Sequence, residues 1–214
     1  MNNFNKLKYS ILLIILTFIF IIISAISYVS AVSSNLSDNV FRLHVIANSD
    51  SDEDQQLKYI VRDKIIEHVN ELGENAKSKE ELINSINLDE INNIAKDTII
   101  ESGYNYDVNV EIGNFSFPTK TYGDISLPAG FYDALRVKIG KAEGQNWWCV
   151  MFPPLCFVDI SSGIVPNESK ENLKENLEPE EYTLISDNES EDIKFKFKIV
   201  EMLQNMGIAM SKNK

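Results

Sequence analysis

The residues best placed to do chemistry are Cys149 and Cys156, the only cysteines of the chain, set in the stretch NWWCVMFPPLCF from 146 to 157. Two cysteines flanking a proline pair can close a disulfide where the compartment is oxidising, and such a loop would stabilise the fold by roughly 2 to 3 kcal/mol. The other reading is two reduced core cysteines, which pack as small apolar residues. A cysteine nucleophile would need a histidine, and only His44 and His68 exist. His44 alternates with core residues and His68 flanks an apolar stripe, and no third group marks a catalytic set. Asp50, Asp52 and Asp54 have the alternate spacing of a calcium loop, but Gln55 stands where that loop needs Gly and Val61 where it needs Glu. Those carboxylates fit better as caps of a helix N-terminus. The chain has no phosphate-binding glycine loop, no HExxH and no GxSxG. We therefore expect no metal, no cofactor, no small-molecule substrate and no enzyme activity. A hydrolase using Cys149 or the Asp50 cluster is the competing reading.

What remains is action by contact. Trp147 and Trp148 fall on opposite faces of one strand, so one can face a core while the other faces a partner. The polar turn Asn48, Ser49 and Asp50, and the turn around Gly144 and Asn146, lie at strand ends and complete the candidate contact surface. With 32 acidic and 20 basic residues the net charge is -12. A nucleic-acid partner, which demands clustered Lys and Arg, is not expected.

The elements that must position these residues follow an N-terminal segment of unusual character. Lys6 and Lys8 precede 29 residues, Tyr9 to Ser37, without a charge. Residues 9–32 are long enough to span a bilayer as a helix. The small residues at Val29, Ser30 and Ala31 equally suit a cleaved signal. Residues 1–32 are thus a signal peptide or membrane anchor, and 33–214 form one extracytoplasmic domain.

Within that domain, VFRLHVIA at 40–47 alternates as a strand, and Ser51 opens a helix near 52–72 whose stripe runs Leu57, Val61, Ile65 and Val69. Capping signals at Ser78 and Asn87 start one kinked helix or two helical pieces near 78–102. Strands follow near 105–112, with Phe115 and Phe117 able to extend the sheet, then near 131–140 and 147–152. The last two read as a core hairpin, the second buried on both faces, with a punctuated loop before them. Residues 167–181 read as a solvated short helix or linker, and a helix is expected near 190–206. The fold class is α+β, a single domain with a mostly antiparallel sheet packed by helices.

Two stretches, FRLHVIANSDSDEDQQLKYIVRDKII at 41–66 and ALRVKIGKAEGQNWWCVMFPPLCF at 134–157, closely resemble the stage II sporulation protein R family of endospore-forming bacteria. Where that family commonly carries a glycine between Gly140 and Gly144, this chain has Ala142, which bears on the turn geometry. The resemblance implies a signal made in the forespore and exported to the space between the two sporulation membranes, secreted or anchored. There it would activate a membrane-embedded aspartic protease of the mother cell, which processes pro-sigma-E. It implies no catalytic residues. A structural septum factor that binds envelope components without signalling is a further reading.

Overall fold

A computed structural model describes residues 3–73, 76–156, 165–186 and 198, with some side chains of the first helix left out. That helix, α1 (Asn3–Asn39), continues past the 32/33 boundary drawn from the sequence, and its last turn places Leu36 in the core. Further back, Leu7, Ile14, Phe18 and Phe20 are exposed. Among the described residues, no helix is long and apolar enough to cross a membrane. Strand β1 (Phe41–Ile46) follows at once, then α2 (Asp52–Gly73), α3 (Lys79–Ser85) and α4 (Leu88–Glu101). Ser78 caps α3 by accepting from Glu81 N, and Asn87 caps α4 by accepting from Asp89 N and Glu90 N, so the expected double start is real.

Next come β2 (Val108–Phe117), the short pair β3 (Lys120–Tyr122) and β4 (Ile125–Leu127), β5 (Gly130–Ile139) and β6 (Asn146–Phe152). Two short helices, α5 (Asn167–Asn176) and α6 (Pro179–Ser186), complete the described chain, burying Leu173 and Leu177. The helix expected near 190–206 lies outside the described residues.

The main sheet has the order β2-β5-β1-β6. Strands β2 and β5 are antiparallel, as are β1 and β6, while β1 and β5 are parallel. The α+β class and the mostly antiparallel sheet stand, but three expectations change. The strands β5 and β6 do not form a hairpin, because β1 lies between them. The central place assigned to β6 belongs to β1, whose first five residues are buried on both faces; β6 is an edge strand, though its last four residues, Cys149 to Phe152, are buried on both faces as expected. The punctuated loop before β5 folds into the β3–β4 hairpin.

Register shows why β1 takes the centre. Leu43 lies opposite Leu135 and Cys149, and Val45 opposite Val137 and Trp147, forming one apolar face. Leu57, Val61 and Ile65 of α2 and Ile91, Ala95 and Ile99 of α4 close over that face. The other face carries Arg42 and His44, opposite Ala134 and Arg136 on β5 and Val150 and Trp148 on β6. Period-2 alternation puts these two residues on the face of β1 away from Leu43 and Val45. Covering by the β3–β4 hairpin makes that face interior too.

Arg42 is wholly buried with no carboxylate beside it. Its Nη2 donates to Tyr122 Oη at 2.9 Å, and its guanidinium lies 4.1 Å from the Phe117 ring centre and 4.8 Å from that of Tyr132. Tyr122 Oη in turn donates to the Trp148 carbonyl at 3.2 Å. One phenol therefore joins the hairpin to a buried cation and to edge strand β6. Converting Tyr122→Phe removes both bonds and leaves the charge less satisfied. We expect a loss of about 2 kcal/mol in urea unfolding, with the denaturant slope unchanged.

Candidate functional site

Because β1 separates β5 from β6, the six-residue connection between these strands must pass over the point where the chain leaves β1. That crossing brings the two unusual sequence stretches together. Gly144 N donates to Ala47 O at 3.0 Å and Glu143 N to Asn48 O at 3.2 Å. Asn48 Oδ1 accepts from Lys141 N at 3.0 Å, while Asn48 Nδ2 donates to Asp54 Oδ2 at 2.8 Å. Ser49 Oγ donates to the same oxygen at 2.5 Å, and Asp50 Oδ1 accepts from Gln145 N at 2.7 Å.

The helix beneath is part of this lock. Ser51 caps α2 by accepting from Asp54 N at 3.2 Å, which leaves the Asp54 carboxylate free to turn back to the loop. Burial alone raises its pKa, but the bonds from Ser49 and Asn48, with a further one from Tyr106, outweigh this and hold it below the usual carboxylate range. Lys58, almost fully buried, donates to Gln55 Oε1 at 2.5 Å and to Gln145 O at 3.1 Å. Desolvation, then the nearby Arg62 charge, lowers its pKa. Gln55 and Lys58 were not among the candidate contact residues of the sequence, Asp54 was weighed only as a calcium ligand or helix cap, and Gln145 lies inside the candidate turn between Gly144 and Asn146. The signal of the first three was present in the density of polar residues at a helix start, and capping absorbed it.

Two glycines are required by contact. A Cβ on Gly140, whose φ is +56°, would lie 2.2 Å from Asn48 Oδ1. One on Gly144 would lie 2.1 Å from the backbone oxygen of Ser49. Between them Ala142 adopts φ 54°, a left-handed conformation costly for a residue with a side chain. This is the position where the resemblance implied a glycine.

Of the candidate contact residues, Asn48, Ser49, Asp50, Gly144 and Asn146 converge at this one end of the sheet. Trp147 and Trp148 lie on opposite faces of β6. Trp147 packs at 5.5 Å against Tyr59 and has the Arg62 guanidinium 4.3 Å over its ring. Trp148 stacks on His44 at 5.6 Å.

Cys149 and Cys156 are joined in a disulfide with Cα atoms 5.1 Å apart. The turn between them contains a cis bond before Pro153 and returns Leu155 N to the Val150 carbonyl at 2.9 Å. With Tyr122 on the Trp148 carbonyl, this turn covers part of the outer edge of β6, where unpaired backbone would invite other strands. Cys149 and His44 project from opposite faces of the sheet, so they form no catalytic pair. His68 is on α2, 3.7 Å from Glu90. Among the described residues, no cluster of His, Cys, Asp or Glu could hold a metal ion.

His44 Nε2 is 2.7 Å from Asn146 Oδ1, which ties the imidazole to the same end of the sheet. Burial lowers its pKa, opposed by the Asn146 bond and reinforced by Arg136, Arg42 and Lys138.

The arrangement defines a small α+β domain, continuous with an apolar N-terminal helix and braced at one end of its sheet by a polar lock and a disulfide. The family model for stage II sporulation protein R matches residues 37–162, more than half of the chain. A curated relative, stage II sporulation protein R of Bacillus subtilis (strain 168), is 43% identical over 147 residues, 67% of this chain. The match spans 66% of that relative's length, just under two thirds. No solved structure matches the chain. The chain belongs to the stage II sporulation protein R family.

Gly144→Ala should lower stability by about 2 kcal/mol, since the backbone itself must move. Ala142→Gly should raise it by about 0.5 kcal/mol, because relief of the left-handed penalty exceeds the entropy glycine adds to the unfolded chain. Urea titrations of both variants test the pair. For His44 the unfolded state takes up a proton near the ordinary pKa of 6.5, before the folded state does. Its contribution is therefore complete above that pH and falls as the solution is acidified towards the lowered folded value. Unfolding free energies measured between about pH 7 and 5 should show this decline, and His44→Gln should flatten it.

Proposed function

We propose that this protein is an exported sporulation signal that acts by contact. It is made in the forespore, enters the membrane through residues 9–32, and works in the intermembrane space as an anchored or released domain. Its partner in this reading is a membrane-embedded aspartic protease of the mother-cell septum, which it activates to cut pro-sigma-E. The contact is presented by Asn48, Ser49, Asp50, Gly144 and Asn146, with Trp147 and Trp148 beside them.

The observation that carries the reading is what the family's two long motifs build. Their polar residues bond to one another across the β5–β6 crossing and fix a rigid end of the sheet, a job suited to presenting a surface. Support also comes from the Cys149–Cys156 disulfide, since such bonds persist in exported proteins. The continuity of α1 as far as Asn39, with Leu36 buried in the domain core, supports a short link between an apolar segment and this surface.

Co-expression of the full chain with the protease and pro-sigma-E in a non-sporulating host tests this, with precursor cleavage scored by blot. Cleavage should require this chain and persist, at a reduced level, when both Cys149 and Cys156 are changed to Ser. Absence of cleavage with all three proteins made and this one exported would contradict activation.

A further inference from the structure

The sheet face opposite α2 and α4 is positively charged, although the chain carries a net charge of -12. Arg136, Lys138 and, from the covering hairpin, Lys120 stand on the half-buried part of this face, Arg42 and His44 lie buried beneath it, and Glu111 opposes the cations. Glu111 is already shared, accepting from Arg136 Nη2 at 2.8 Å and lying 2.8 Å from Lys138 Nζ. Those two cations hold its carboxyl below the usual range.

The other pairings on this face are with rings. Lys120 Nζ lies 4.1 Å from the Trp148 ring centre, Arg136 lies 3.7 Å from that of Phe115, and Arg42 packs on Phe117. A ring attracts a cation through its quadrupole but has no net charge, so the positive field of the face survives the pairing.

A second, independent observation concerns donors. Arg42 Nε and Nη1 and Trp148 Nε1 are buried without an acceptor, and His44 Nδ1 is buried without a partner. The first three can only donate. Arg42 is fully buried and His44 is 8% exposed. The three donors belong to side chains of this one face, which is therefore short of acceptors as well as of negative charge.

Its dimensions limit what fits. The in-register row Glu111, Arg136, His44 and Trp148 crosses three strand spacings, about 14 Å. That is the length of about four extended residues. Phe115 stands four residues along β2 from Glu111, so the half-buried rings of Phe115 and Trp148 lie at opposite corners of the face with cations between them, as in the anchor composition of protein interfaces.

We propose that this face docks a short, extended, acidic segment of a partner protein, with carboxylates on Lys120, Arg136 and Lys138 and apolar contact on Trp148 and Phe115. The His44–Asn146 bond makes the face continuous with the locked end of the sheet. The inference goes beyond protease activation and does not depend on it.

The test uses the full chain in non-ionic detergent and fluorescence anisotropy of three labelled decapeptides, all Glu, all Gln and all Lys. The Glu peptide should bind. Its affinity should fall at least tenfold in Lys120→Glu/Lys138→Glu, by a smaller factor in Lys120→Gln/Lys138→Gln, and as salt rises from about 50 to 500 mM. Circular dichroism should show both variants folded. If the reversal variant unfolds, the milder pair decides the matter. No binding of the Glu peptide, equal binding of the Gln or Lys peptide, or unchanged affinity in the folded variant overturns the proposal. Preferential binding to anionic lipid vesicles, with no binding of the Glu peptide, overturns it in favour of a membrane surface.

Discussion

The locked end of the sheet depends on one crossing, that of residues 140–145 over the chain as it leaves β1. The topology demands it, because β1 is parallel to β5 and antiparallel to β6 and lies between them. The crossing strand has no ladder to join there, so its amides need other acceptors. Asn48 Oδ1, Asn48 O, Ala47 O and Asp50 Oδ1 supply them, to Lys141, Glu143, Gly144 and Gln145 respectively. The density of polar residues after β1 and the glycines after β5 are two halves of the same solution.

From this constraint the rest of the arrangement follows. A carboxylate at Asp54 orients both Asn48 and Ser49, so the first turn of α2 caps itself and braces the loop above it. Lys58, one turn further on, reaches the Gln145 carbonyl from inside. The edge strand β6, held on one side by β1, is closed on the other by Tyr122 and by the disulfide turn. Two buried cations, Arg42 and Lys58, thus rely on oxygens of uncharged groups. Such contacts do not neutralise their charge, and Arg42 keeps Nε and Nη1 without an acceptor, which leaves the protein locally positive where it is globally acidic.

Much of this was legible in the sequence. The helices announced themselves through Ser51, Ser78 and Asn87, and the strands through alternation at Leu43 and Val45 and at Leu135 and Val137. The order of strands was not legible, because neighbours in sequence commonly pair, and nothing in 131–152 signals that a third strand intervenes. Gly140 and Gly144 read as the ends of a hairpin turn, while their real requirement is a backbone passing close to Asn48 and Ser49. The burial of Arg42 was not legible, because period alone cannot foresee a covering hairpin 80 residues away. The residues read as candidate contacts stand at one end of the sheet, and the side chains that fix that end, Asp54, Gln55 and Lys58, lay under an ordinary helix-start signal.

A surface that signals by contact has to hold its shape before the partner arrives, and the crossing is what gives this end of the sheet a shape to hold. Amide hydrogen exchange at Lys141, Glu143, Gly144 and Gln145 measures this most directly, in the native chain and in Asn48→Ala. The account predicts slow exchange at all four in the native chain, and a joint acceleration in the variant while the amides of β1 and β5 stay protected. Exchange at the rate of an open loop in the native chain, or no change on removing Asn48, would contradict it.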